Sequence, residues 1–413
     1  MEDVVIVGGG AAGLMCATVA AERGLRVTLL EKMDQCGRKL RITGKGRCNL
    51  TNTTPLREAL QHIGPDPRFL RNAFGRFHTA ELMDFFERRG VPLKVERGNR
   101  VYPQSDRAHD IFMALISGLE ANPNATIRKN ATVRRVDQRD GHIEGVVLQN
   151  GERIGCRQVV LATGGLSYPT TGSTGAGLLF ARELGHTIVD PVPALVALRV
   201  AERIPDELVG FTLRNVELRI AAPGEKPHRY FGELTFTEDG IGGPIALSAS
   251  RAASRSLHSG VAMQAIIDLK PALTPEQLDR RLQTDLAANG TRIFNDALRL
   301  WLPAELIPLA LPQLHIEYYK RLNQINGEER RKVGTWLKGV SFTLTGTRDY
   351  NEAIITQGGV SLSEVDPKTM KSRIVDGLYI VGELLDLDAD TGGYNLQIAF
   401  STAHAAGMAL ERL

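Results

Sequence analysis

Apolar and polar positions change period several times along the chain, and each change marks an element. Val4–Val7 is an apolar run of strand length, followed by a glycine cluster. Residues 11–23 then stay small and apolar for the length of a helix that stops near Gly24. Residues 26–30 are strand-like again, so the N-terminus predicts one βαβ unit. Residues 55–90 are polar and predict helix, with Ala80, Leu82, Phe85 and Phe86 as the apolar face. Strands are expected over 126–136 and 143–148, separated by the turn at Asp140-Gly141. A third, over 159–162, runs into Gly164-Gly165 and a helix over 174–184.

The period then shortens. Residues 195–200, 216–220, 230–237 and 263–269 alternate as short strands between Gly and Pro turns. From 274 to 337 the spacing is helical, opening on the start signal Thr274-Pro275-Glu276-Gln277. Strands return at 341–344, 353–356 and 378–381, and about the last 20 residues read as a helix packed on the body. The predicted class is α/β. A discontinuous Rossmann-type dinucleotide-binding domain (residues 1–190 and 353–413) is interrupted by a β-rich, barrel-like domain (191–272 and 338–352) and a small helical insertion (273–337).

Composition refines this picture. At 413 residues the chain exceeds what one core supports, and 43% hydrophobic with 23% charged residues is ordinary for a globular protein. A net charge of +3 does not by itself direct the chain to nucleic acid or membrane. Cys16, Cys36, Cys48 and Cys156 form no CxxC pair, which disfavours a disulfide framework, a dithiol redox centre and a clustered zinc site. No metal site is expected. The start, Met-Glu-Asp followed by a glycine-broken apolar stretch, reads as strand, turn and helix rather than signal peptide. No apolar run of about 18 residues suggests a span. A cytoplasmic protein without a membrane contact or stable protein partner is expected.

Four glycine-bearing motifs carry the candidate chemistry. Gly8-Gly9-Gly10-Ala11-Ala12-Gly13 follows a strand and opens a helix. In that pattern Gly8 allows the tight turn, Gly10 lets the backbone approach a pyrophosphate, and Gly13 lets helix and strand pack closely. The N–H groups at Ala11 and Ala12 begin the helix and suit phosphate. Glu31, at the end of the second strand, suits a ribose 2′-OH and would repel a 2′-phosphate. The second motif, residues 37–49, contains Gly37, Arg38, Lys39, Thr43, Gly44, Gly46, Arg47 and Cys48, with five basic residues and no acid. Such a loop suits phosphate or an anionic flavin ring; the plain alternative is a solvated basic loop. The third is Thr163-Gly164-Gly165 at a strand end. The fourth comprises Gly382 and Glu383, then Asp388, then Gly392, Gly393, Tyr394, Asn395 and Leu396 at the start of the last helix. That helix N-terminus could stabilise negative charge on a reduced flavin.

Together these motifs resemble the flavoprotein family described as aminoacetone-oxidase-like, BaiN-like or NAD(P)/FAD-dependent oxidoreductase. The likeness runs end to end: GRKLRITGKGRCNLTN at 37–52, ATGG at 162–165 with Tyr168-Pro169 after it, GELTFTEDGIGGP at 232–244, ITQGGVSLSEVDPKTMKS at 355–372 and GLYIVGELLDLDADTGGYNLQIAFS at 377–401. It implies a split FAD domain, a barrel-like middle and a helical insert. It also implies FAD contacts at Glu31, Lys32, Arg38, Lys39, the Val133 backbone, Thr163, Gly164, Gly382, Asp388, Gly393, Asn395 and Leu396. Ala389 and Ala403-His404 depart from the family pattern, which has Gly at the first position and Gly with an aromatic residue at the second.

The expected activity is reduction of an activated C=C bond by hydride transfer from flavin N5, with NAD(P)H docking transiently as reductant. Such a reaction also needs a proton. Cys48 is the leading donor, on the expectation that its basic neighbours lower the thiol pKa; His404, Tyr168 and Tyr394 are alternatives. The substrate is a small enone-like molecule or, with the same chemistry, uridine in ribosomal RNA, where Arg134-Arg135, Arg280-Arg281 and Arg330-Arg331-Lys332 could grip phosphates. An oxygen-dependent amine oxidase and a non-catalytic flavin-binding protein are the other readings.

Overall fold

The computed structural model describes residues 2–412. The chain forms two compact units, residues 1–193 with 354–413, and residues 194–353.

The first unit is built on a five-stranded parallel sheet in the order Leu378–Ile380, Val159–Leu161, Val4–Val7, Val27–Leu30, Ala125–Arg128. Val5 lies opposite Val159 on one side and Thr28 on the other, so the central strand is paired along both edges. All four of its residues are buried, as expected of a strand covered on both faces. Two helices of small residues pack on each other here: Ala11–Glu22 and the C-terminal Tyr394–Ala409. Their approach requires glycine, because a Cβ on Gly407 would stand 2.9 Å from Val19. A sheet strand and a helix from the end of the chain thus complete the domain begun at its start.

Where a long helical stretch is predicted over 55–90, the structure has three short helices, Leu56–Ala59, Arg71–Arg76 and Thr79–Glu87, with a short strand Ile63–Gly64 among them. Pro65 and Pro67 account for the break between the first two, since proline cannot continue a helix, and the last two are parted where Phe77 and His78 leave helical backbone angles. The predicted strand 126–136 divides likewise: Ala125–Arg128 joins the parallel sheet, whereas Val133–Arg139 forms a hairpin with His142–Leu148, and Asn130 turns between them at φ 54°.

The second unit is a closed barrel with strand order Leu198–Val200, Gly240–Gly242, His228–Thr237, Thr212–Ala221, Met263–Asp268, Val340–Thr347. Pro275–Ala288 and Gly327–Lys338 are the longest helices of the segment between its last two strands, and their buried residues share one apolar core with the barrel. A 16-residue helix, Gly243–His258, stands where only strands are predicted. Its buried residues Ile245, Ala246, Ala249, Ser250, Ala253 and Leu257 follow helical spacing, but serines and alanines give that spacing little hydrophobic contrast.

Candidate functional site

The glycine turn after the first strand has three distinct jobs. Gly8 sits at φ 107°, in the region glycine tolerates. A Cβ on Gly13 would lie 1.8 Å from the Gly8 carbonyl, so this glycine is demanded by the fold. Gly10 is different: a Cβ there would meet nothing within 4 Å. The backbone at Gly10 borders open space just where the first helix presents its unbonded N–H groups. Glu31 is 9% exposed and accepts hydrogen bonds from Gly9 N and Met33 N, each at 2.8 Å. Two oxygens offer about four acceptor sites, so capacity remains for ribose hydroxyls. Lys32 beside it reaches Thr174 Oγ1 at 2.6 Å. Ala131 N donates to the Glu31 carbonyl at 2.9 Å, which brings the backbone leading into Val133 alongside this turn.

The basic loop is sharply bent: Gly37, Gly44, Lys45, Gly46 and Cys48 all have positive φ. Arg38 lies 3.6 Å from Asp34 and is partly exposed. Thr43 caps the short helix through Leu40 O. Arg47 departs from the phosphate role predicted for it. Its guanidinium holds Asp106 and Glu96 at 2.6 Å and lies 4.3 Å over the Tyr102 ring, so its donors serve the adjoining hairpin. Asn49, in the 37–49 motif but not among the predicted site residues, has a buried side-chain oxygen with no hydrogen-bond partner among the described residues.

The third turn is held by a residue of the 355–372 block that was not among the predicted site residues. Thr356, fully buried on the strand Ile355–Val360, accepts from Leu166 N at 2.8 Å and Ser167 N at 3.1 Å and shares a hydrogen bond with Ser167 Oγ. A Cβ on Gly165 would strike Thr356 Oγ1 at 2.4 Å, and one on Gly177 would strike Thr163 Oγ1 at 2.0 Å. Glu383 closes the arrangement by accepting from Thr356 N and from Lys39 Nζ, both at 2.8 Å. Four segments, carrying Lys39, Gly164-Gly165, Thr356 and Glu383, are thereby tied together. Lys39 and Glu383, both predicted to touch cofactor, touch each other.

At the C-terminal turn Asn395 holds the backbone of its own loop, donating to Ala389 O and Asp390 O and accepting from Ala389 N. Asp388 is 1% exposed and receives a bond from Gln357. A Cβ on Gly393 would lie 2.4 Å from Thr51 O, which fixes a glycine ahead of the last helix. Gly382 N donates to Thr402 Oγ1, anchoring the strand end to that helix. Leu396 is half-buried in the first turn. Tyr394 faces elsewhere: its ring stacks on His62 at 4.7 Å and its hydroxyl reaches Thr54, while His62 is itself paired with Asp390 at 2.9 Å.

The two predicted catalytic side chains require correction. Cys48 is fully buried, and burial pushes its thiol up to about 12 despite a side-chain hydrogen bond with Thr43. Its basic neighbours do not lower it, because their charged ends lie in a more hydrated environment while the sulfur has none. His404 stacks face to face on Phe77 at 4.1 Å, and burial holds it down to about 4, so it is neutral at pH 7. Neither carries an activated proton.

The residues present fit a flavin dinucleotide on three grounds. Gly10 opens on space beside a helix N-terminus, as a pyrophosphate needs. Glu31, at the end of the second strand, keeps acceptor capacity that suits ribose hydroxyls. The orphaned Asn49 oxygen is an acceptor that suits a ring N–H such as the flavin pyrimidine carries, and leaving it bare costs about 1–3 kcal/mol.

Comparison with known proteins bears on the same conclusion. The family model described as HI0933-like protein Rossmann domain matches residues 2–409. The chain belongs to this family. It is 33% identical to a 3-dehydro-bile acid delta(4,6)-reductase of Clostridium scindens, over 99% of both chains. It is 29% identical to a ribosomal RNA dihydrouridine synthase of Escherichia coli, over 99% of this chain and 98% of that one. A 3-ketosteroid delta1-dehydrogenase from Sterolibacterium denitrificans has the same fold, with TM-score 0.54 and 14% identity over 99% of each chain. Family and architecture together make this protein an FAD-dependent oxidoreductase. Among the described residues no helix is long and apolar enough to cross a membrane.

Proposed function

We propose that this HI0933-like protein reduces a C=C bond conjugated to a carbonyl group. The observation that carries the reading is the pair of full-length relatives. One is named for reduction of steroid double bonds and the other for dihydrouridine formation. A 3-oxo-4,6-diene and a uracil ring share one chemical feature, an alkene made electron-poor by an adjacent carbonyl. Bound FAD, once reduced, would supply a hydride to such a carbon.

The chain's own residues do the rest. Gly10 and the first helix N-terminus would hold the pyrophosphate, and Glu31 would fix a ribose. Arg38 supplies positive charge near the loop, and the Thr356–Glu383–Lys39 chain keeps the 163–167 turn in place. The N-terminus of Tyr394–Ala409 offers positive potential for charge gathered during reduction. Because Cys48 and His404 are held far from neutral pKa values, the proton comes from another group or from water. Reduced pyridine nucleotide is the electron source in this reading.

Anaerobic mixing of the reduced holoprotein with a steroid 4-en-3-one, and separately with unmodified ribosomal RNA, tests the proposal. Reoxidation of the flavin by either supports it, and the responsive partner names the substrate class. A reduced flavin that ignores both, and whose oxidised form is reduced by amines, would replace the reading with amine oxidation. The RNA form rests on the second relative's name alone. It predicts loss of a dihydrouridine from ribosomal RNA when the gene is deleted.

A further inference from the structure

A cleft of about 670 Å³ opens beside the basic loop, lined by Arg38, Arg41, Ile42, Arg107, His109 and the Thr170-Thr171 pair, with Gly46 at its edge. Arg38 and Gly46 belong to the predicted flavin set; the remainder do not. The size lies in the range of small-ligand sites. Among the described residues Arg41 has no carboxylate partner: it donates to Gln35 at 2.9 Å, and its guanidinium lies 5.7 Å over the Phe112 ring. The Arg107 side chain pairs with Asp110, at 3.0 Å, and is 70% exposed, and Arg38 meets Asp34 at 3.6 Å. Pairs this exposed are weak and readily exchanged for a better anion. Ile42 is 47% exposed, an apolar surface beside the cations. His109 adds a second ring next to Phe112, at 6.0 Å.

The combination of three guanidiniums, an apolar wall and an imidazole suits a ligand with a flat base and more than one phosphate. The flavin must be reduced by something, and the sequence contains only one complete GxGxxG, so a second nucleotide has no glycine turn of its own. We infer that this cleft docks the reduced pyridine nucleotide and that Arg41 and Arg107 select one carrying a 2′-phosphate. The inference rests on the reading above that a pyridine nucleotide is the electron source. The step balances simply: the dihydronicotinamide loses a hydride and becomes the pyridinium, and the flavin takes that hydride with one proton from solvent. Selection here is opposite to that at Glu31, whose carboxylate disfavours a 2′-phosphate at the flavin end.

The test uses holoprotein and 2′,5′-ADP, which carries the base and the diagnostic phosphate but no electrons. Calorimetry should show 2′,5′-ADP binding at least about tenfold more tightly than ADP, and Arg41→Gln or Arg107→Gln weakening it by about tenfold each. FAD content per protein should stay unchanged in both variants, and anaerobic flavin reduction should saturate at lower NADPH than NADH. Loss of FAD from the variants would assign the cleft to the flavin and overturn the inference. Variants that bind 2′,5′-ADP and respond to NADPH as wild type does would overturn the cleft while leaving the electron source standing. A wild-type flavin bleached by neither nucleotide would overturn the electron source itself, and the docking role with it.

Discussion

Replacing Thr356 by valine removes one oxygen and almost no volume, so it isolates what that oxygen does. In the wild type it accepts from two backbone N–H groups, Leu166 and Ser167, and shares a bond with Ser167 Oγ. Valine leaves Ser167 N buried with no acceptor and Leu166 N partly so. An orphaned buried donor costs about 1–3 kcal/mol, and two together cost roughly 2–4 kcal/mol. That is a large fraction of the about 5–15 kcal/mol that stabilises a typical domain. The loss falls on the 163–167 turn, so FAD affinity should drop at least about tenfold as well. Urea unfolding of apoprotein and fluorescence titration with FAD measure the two effects. Thr356→Ser keeps the oxygen and should recover most of both. A valine variant within about 0.5 kcal/mol of wild type, with unchanged FAD affinity, would refute the clamp.

Other outcomes follow from the same geometry. Gly13→Ala should fail to give folded protein, whereas Gly10→Ala should fold and lose FAD, because a Cβ meets the Gly8 carbonyl in one case and open space in the other; circular dichroism and flavin content separate them. In native protein at pH 8 all four cysteines should resist a thiol-specific disulfide reagent and react on denaturation, since each is buried and its thiol raised to about 11 or 12. His404 is depressed to about 4 from an ordinary 6.5, so the unfolded chain takes up its proton first. Its contribution to stability is therefore complete above pH 6.5 and fades as pH falls toward 4, by at most about 2 kcal/mol between pH 6.5 and 5. His404→Leu should remove that part of the pH dependence in urea titrations.

How much of this was legible in the sequence differs by element. The parallel sheet could be read because buried strands leave unbroken apolar runs, as at Val4–Val7 and Val159–Leu161. The glycine turn could be read because its spacing encodes close approach, which the carbonyl contact at Gly13 bears out. The helix Gly243–His258 was hidden, since serine and alanine carry little periodic contrast. Thr356 was hidden for another reason: it lies in the 355–372 block, but a strand threonine has no chemical signature of its own, and its role exists only when the 163–167 turn folds over it. Electrostatic expectations failed in a consistent direction. Arg47 and Cys48 sit in a basic loop, and adjacency suggested a phosphate ligand and an acidified thiol. Folding instead gave Arg47 two carboxylates from the 93–106 region and took Cys48 out of water. Sequence neighbours set charge density, whereas burial and tertiary partners set which charge is felt.

The most direct measurement is a single anaerobic turnover. Holoprotein carrying reduced FAD is mixed with a carbonyl-conjugated alkene, either a steroid 4-en-3-one or uridine within ribosomal RNA, and product is counted against flavin. The account predicts one saturated C–C bond formed for each flavin reoxidised, with two hydrogens gained. A flavin that stays reduced in the presence of both, and is reoxidised by oxygen alone, would contradict it.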